Sequence, residues 1–247
     1  MDYLQKISID FELHSAAGIR QCFESGVDAN ALVKGKPLIY ELINMYARGP
    51  QFKECVRVFT EHGLRFDDPV LLSVLLDDAA ALDKQLTGNK AALSATYSFD
   101  CTFTPLQQAS LLHICAEYNH VSCAAVLVKH GADVNAKAGI DENGFGGHTP
   151  VFHTVNQHLN RCLPMLQFLL AQKADLSLTV PGLIWGKGYD WETFIPAVNP
   201  TSYAMMGLLR QFQRGEQDIY EVVALLEEAR YGIRYIPPNI PNKYLGG

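Results

Sequence analysis

The sequence predicts an all-α solenoid of about six stacked helix pairs with inserted loops. Three observations predict it. Apolar residues recur at helical spacing in short segments, not in long runs or strict alternation. The segments come in pairs, with a polar break inside each pair and a glycine stop after it. The paired pattern then recurs along the chain, as in architectures whose units bury their apolar faces only against neighbours.

The clearest unit spans residues 110–135. Leu111, Leu112, Cys115 and Ala116 form one apolar face at helical spacing. Asn119 and His120 break that helix, and Val121, Ala124, Ala125, Leu127 and Val128 form a second. Gly131 suits a C-cap that needs positive φ. The helix pair carries too little apolar area to stand alone, so neighbours must stack. The segment Ser110-Leu-Leu-His113-Ile-Cys-Ala116-Glu-Tyr-Asn119-His120, closed by Gly131-Ala-Asp133-Val-Asn135, resembles the ankyrin repeat without a gap. Its departures are Ser110 for Thr, Leu111 for Pro and Asn119 for Gly.

Weaker copies flank it. Residues 19–26 read as a second helix, followed by a closing Gly26-Val-Asp28-Ala-Asn30. Lys36-Pro37-Leu38 opens a unit that ends at residues 58–64, and residues 70–76 with 79–86 form a degenerate pair. His148-Thr149-Pro150 opens another unit, closed by residues 166–176, with a lengthened inter-helix turn around 158–162. Asn199-Pro200 opens the last pair, residues 202–212 and 218–230, stopped by Tyr231-Gly232. The openings near Lys36, Pro69, Ser110, His148 and Asn199 are 33 to 51 residues apart, where an unbroken array repeats every ~33. Inserted loops explain the excess. Residues 1–232 therefore read as one ankyrin-like repeat domain, with an N-terminal cap region at 1–35 and a C-terminal cap pair at 199–232. Cap helices need polar outer faces; Glu12, Arg20 and Glu24 supply one, and Arg210, Arg214, Glu216, Glu227 and Glu228 the other. The Pro-rich tail at 233–247 is not helical; it lies along the last pair or serves as a free docking peptide.

Three stretches break the pattern. Residues 88–105 carry Tyr97, Phe99 and Phe103. Residues 136–147 form a glycine-rich, hairpin-like finger. Residues 179–198 hold both tryptophans, Trp185 and Trp191, with Tyr189 and Phe194. Two readings of the third are open: its aromatics fold back over adjacent helices, or some of them anchor a partner.

Composition narrows the function classes. Hydrophobic residues are 48% and charged residues 19%, enough apolar content for a folded core. Twenty Lys and Arg against 26 Asp and Glu give a net charge of −6, which argues against nucleic-acid binding. The start lacks a secretory pattern, and the longest apolar runs, such as 71–76, fall far short of a membrane span. The expected location is cytoplasmic, without membrane partners. Six scattered cysteines with no C-x-x-C pair read as free, mostly buried thiols.

The residues that could suggest catalysis read as structural. The resemblance places His113 and His120 at the two histidine positions of the repeat, where the first hydrogen-bonds to the hydroxyl three residues earlier, here Ser110. Ser110 and His113 are therefore not a nucleophile and base. His148, His153 and His158 recur every five residues, so neighbours on a helix would point about 140° apart and share no ligand face. His148 precedes its helix and could approach Asp141 or Glu142, but a solvated loop is the expectation there. Cys115 and Cys123 occupy core positions. Gly182–Gly188 lacks the glycine spacing and hydroxyl of a phosphate loop. No catalytic residue, metal or cofactor is expected.

The resemblance implies a non-catalytic protein-protein interaction module, an adaptor or regulatory binding protein, whose partner is another protein. An inhibitor or immunity-type partner of an enzyme or toxin is the alternative, and a metal-dependent enzyme on the loop face a minor one. In the family, contacts come from loop tips and from exposed positions late in each first helix. Carried over, these are Glu117, Tyr118, Asn156 and Gln157, with Lys137, Asp141 and Phe145 in the finger. Trp185, Tyr189 and Trp191 join them from the third insertion.

Overall fold

The computed structural model describes residues 3–206 and 214–233. Helices follow one another in pairs. The first is α1 (Tyr3–Glu12) with α2 (Ala16–Glu24), then α3 (Ile39–Ile43) with α4 (Phe52–Glu61) and α5 (Pro69–Leu75) with α6 (Ala79–Gly88). Next come α7 (Leu111–Tyr118) with α8 (Val121–Lys129). Two 3₁₀ turns, Pro150–His153 and His158–Asn160, precede α9 (Leu163–Ala171), and α10 (Pro200–Ala204) precedes α11 (Glu216–Tyr231).

Local chemistry sets the starts. Asp68 accepts the Leu71 N–H at 2.9 Å, Asp78 the Ala81 N–H at 3.0 Å and Asn199 the Ser202 N–H at 2.9 Å. Each satisfies an amide that the first helical turn leaves unpaired. Pro69 and Pro200 sit in first turns, where a missing N–H does no harm. Between paired helices the chain reverses through a left-handed residue: His14 at φ 48°, Asp77 at 53° and Asn119 at 59°. Asp and Asn tolerate that conformation better than most residues.

The same turn residues tie neighbouring pairs together. Asp77 Oδ1 accepts the Cys123 N–H and Asn119 Oδ1 the Met165 N–H, each at 3.1 Å. At the opposite end of the pairs, Asn30 Oδ1 accepts the Arg65 N–H and Asn135 Oδ1 the Asp175 N–H, each at 2.7 Å. Both asparagines are fixed by the preceding aspartate, which accepts their own N–H at 2.8 Å. Between these ties α1 packs on α3, α2 on α4, α5 on α7 and α6 on α8. The buried apolar residues form one continuous cluster from Ile7 to Leu226.

The chain is not all-α. Three antiparallel hairpins interrupt it: β1 (Leu32–Val33) with β2 (Lys36–Pro37), β3 (Thr96–Phe99) with β4 (Leu106–Ser110), and β5 (Val180–Trp185) with β6 (Thr193–Val198). Each is a separate two-stranded sheet, with no central sheet among the described residues. The β-branched and aromatic residues of β3, β5 and β6 favour strand, a preference hidden when these stretches are read only as insertions. Pro181 and Pro196 are tolerated because every strand of a two-stranded sheet is an edge. The finger closes on one bridge, Ile140 to Gly146, with Asp141 Oδ1 accepting the Asn143 and Phe145 N–H groups at its tip. Gly146, at φ +115°, approaches the Gly139 carbonyl so closely that a Cβ would lie 2.3 Å from it.

The fifth pair also departs from expectation. Its first helix is reduced to a 3₁₀ turn that stops before Thr154 and Val155, both poor helix formers. Thr154 Oγ1 donates back to the Val151 carbonyl at 2.8 Å. α10 ends at Ala204; residues 207–212 of the helix expected there, Arg210 among them, lie outside the described residues, as does the tail from 234 onward.

Asn119 supplies both a left-handed backbone and a bond between pairs. Asn119→Gly should therefore lower stability by about 1 kcal/mol, the value of one hydrogen bond. Asn119→Ala should lower it by about 2–3 kcal/mol, because it adds the left-handed strain. Urea unfolding of the two variants checks the order; equal losses would contradict it.

Candidate functional site

The last turn of α7 should be half surface, yet it is buried. Glu117 is 3% exposed. Its Oε1 accepts the Arg48 Nε–H and its Oε2 the His153 Nδ1–H, both at 2.7 Å. Burial opposes ionisation, but Arg48 and His153 outweigh it and hold the carboxyl down to about 2. Arg48 comes from the irregular connection between α3 and α4, and its guanidinium also lies 4.8 Å over the Tyr118 ring. Tyr118 donates its hydroxyl to the Ile43 carbonyl at 2.7 Å, and its ring stacks on Phe52 at 4.1 Å. Glu117 and Tyr118, expected at exposed contact positions, are thus enclosed. The cause is a long connection that folds Arg48 onto α7.

The histidines are structural. Ser110 Oγ lies 2.8 Å from His113 Nδ1, and His113 Nε2 donates to the His148 carbonyl at 3.1 Å. His148 Nε2 donates in turn to the Pro105 carbonyl at 2.9 Å. His148 is 1% exposed, so the expected solvated loop is a buried strut between connections. Burial, reinforced by His153, pushes His113 down to about 3 and His148 well below the usual value. His158 is exposed and stands apart. Among the described residues no group of three His, Cys, Asp or Glu could hold a metal. Burial also pushes the Cys101 thiol up to about 12, with Glu117 adding and Arg48 opposing, so it is no ready nucleophile.

The third insertion divides its aromatics. Trp185 is 2% exposed and donates from Nε1 to the Tyr203 hydroxyl at 2.6 Å. It covers the helices; it is not at the surface. Tyr189 and Trp191, at the tip of the β5–β6 hairpin, are 58% and 44% exposed, with rings stacked at 5.5 Å. Phe194 is exposed too and meets Phe145 of the finger at 4.6 Å. Beneath them runs a groove of about 720 Å³ between the β3–β4 loop, the finger and the hairpin. Asp100, Asp141 and Glu142 line it, with Lys187 paired to Glu142 at 3.1 Å. Lys137 is exposed in a different groove, beside the α8 end. Asn156 and Gln157 are half-buried, and Gln157 donates to the His153 carbonyl at 3.1 Å. Of the residues expected at one surface, Asp141, Phe145 and Tyr189 meet around one groove, with Trp191 stacked on Tyr189. Arg48 was missed, because nothing in an aperiodic connection marks a residue as a core counter-ion.

Residues 103–138 match the family model of the ankyrin repeat. Repeats of this family generally mediate protein-protein interaction and are typically non-enzymatic. The chain matches none of the curated proteins. No helix among the described residues is long and apolar enough to cross a membrane.

Glu117→Gln should leave the Arg48 charge buried without its counter-ion and cost about 3–5 kcal/mol. Adding Arg48→Met should recover part of that loss, read by urea unfolding. Buried histidines give a pH signature. Burial, first of all, pushes His14 and His120 down to about 4, alongside His113 at about 3. Unfolded histidines take up protons near 6.5, so the unfolded state binds more protons as pH falls below that. Stability should be full above pH 6.5 and fall toward pH 4, by up to ~1.4 kcal/mol per pH unit for each histidine. Urea midpoints at pH 7 and pH 5 test the direction.

Proposed function

We propose that the protein is a non-catalytic protein-protein interaction module, an adaptor or regulatory binding protein, built as one ankyrin-type solenoid of six helix pairs over residues 1–232. The observation that carries this reading is the exposed, stacked pair Tyr189 and Trp191 on a hairpin locked by Trp185 at the last strand pair before its tip. Large aromatics on a rigid support lose little entropy on docking and dominate interface energies. Phe145, Asp141 and Lys187 extend the surface around them, while Asn156, Gln157 and Lys137 contribute at its periphery. Glu117, Tyr118 and Trp185 act from beneath by holding that surface in place. The cytoplasm is the proposed location, where the six thiols, five of them buried, remain reduced.

The test is affinity capture from the native host, then titration of the captured protein against purified variants. Tyr189→Ala with Trp191→Ala should weaken binding by more than about 2 kcal/mol and leave the melting temperature within a few degrees. Trp185→Ala should instead lower the melting temperature, having lost a buried indole and its hydrogen bond. Unchanged affinity of the double variant would overturn the aromatic surface.

A further inference from the structure

A second cleft, of about 350 Å³, lies between the ends of the first helices and the end of β5 at Trp185, next to the hairpin tip. Arg48, Arg161 and Arg214 all line it, and Glu117 is the one carboxylate among its lining residues. Glu117 is spent on Arg48 and His153. Arg161 is exposed and donates from Nη1 to the Arg48 carbonyl, with no carboxylate partner among the described residues. Arg214 is 7% exposed. Its Nη1 donates to the Ala204 and Met206 carbonyls at 2.6 and 3.0 Å, and its Nη2 to Asn160 Oδ1 at 3.4 Å. Among the described residues its Nε is buried without a partner and it forms no ion pair. A buried cation without a counter-charge is costly. Burial pushes Arg214 down to about 10, with Asp218 partly opposing. Two unmatched guanidinium groups therefore face one cleft in a chain of net charge −6. His14 senses the same field: after burial, Arg48 and Arg161 lower it further.

We infer that this cleft is a carboxylate-binding site that receives an acidic side chain of the protein partner. The inference rests on the proposed interaction function and names the chemistry of what docks. A guanidinium presents parallel N–H groups that match the two oxygens of a carboxylate. Phe103 and Trp185 form an apolar wall of the cleft, which strengthens such a bond by excluding water. The cleft is also continuous with the aromatic tip. Phe103 touches Trp185 at 5.5 Å and Trp191 at 6.1 Å between ring centroids. One partner segment spans both, with an apolar group on Tyr189 and Trp191 and an acidic residue at Arg161.

The probe is a capped pentaglutamate peptide, with capped pentaglutamine and inorganic phosphate beside it. In a Trp191→Phe background Trp185 is the one tryptophan left and its emission reports occupancy of the cleft it lines. Pentaglutamate should bind at least about tenfold more tightly than pentaglutamine, the range of one charged hydrogen bond. Arg161→Glu should abolish that preference and Arg161→Lys reduce it. Lys84→Glu, the same charge change on a remote exposed residue, should leave it intact. Arg161 is exposed, so these variants are expected to fold, and circular dichroism confirms it. Equal binding of the two peptides, or equal effects of Arg161→Glu and Lys84→Glu, would overturn the assignment. So would displacement of pentaglutamate by an equal concentration of phosphate. The captured partner separates the two readings. If Arg161→Glu binds it normally while the Tyr189→Ala, Trp191→Ala variant does not, the interaction surface stands and the carboxylate cleft falls. If neither variant loses binding, both fall.

Discussion

The arrangement of the molecule around its clefts hangs on one buried carboxylate. Glu117 is held on one side by a guanidinium from the α3–α4 connection and on the other by an imidazole from the 3₁₀ turn after the finger. Neither partner is close to it in sequence, so two irregular segments are brought to one point on α7. An ion pair of this kind is weak evidence for net stability, since desolvation offsets much of the attraction. What it enforces is completeness: with either partner absent a charge or a strong acceptor is left in an apolar interior. That requirement fixes where the long α3–α4 connection runs, and with it the floor of the arginine-lined cleft.

The hairpins and the helices divide the work differently. Helices carry most of the continuous core, and their turns carry the bonds between pairs. The hairpins occupy the connections and meet the core through a few anchor residues, such as Trp185 on Tyr203. Because their tips are not needed for that core, Tyr189 and Trp191 are free to face solvent.

The repeating part of the fold is legible in the sequence because it is periodic. Apolar spacing and glycine stops locate α5 to α8 and α11 closely, and α2, α4 and α9 in part. The hairpins are less legible, since a two-stranded ribbon of six residues per strand gives little alternation to detect. The site divides in the same way. Aromatic enrichment marks the third insertion but does not distinguish the exposed Tyr189 and Trp191 at its tip from the buried Trp185. The burial of Glu117 and Tyr118 is not legible either, because consensus positions describe an array with short connections and this chain has a long one. Arg48 and Arg161 carry no local pattern; their roles arise from where distant segments cross. His148 looks like a loop residue until its carbonyl and its Nε2 are seen bonding in two directions.

The side chains of Asp77, Asn119, Asn30 and Asn135 each grasp a main-chain amide in the following pair. The bond is therefore blind to the identity of the residue it reaches: cysteine, methionine, arginine and aspartate all serve. Only proline is barred from those receiving positions. Successive units are thus released from resembling one another, and their sequences drift while the spine they share endures. That indifference accounts for a chain in which a single stretch still carries the repeat's spelling and its neighbours hold the shape with hardly a letter of it.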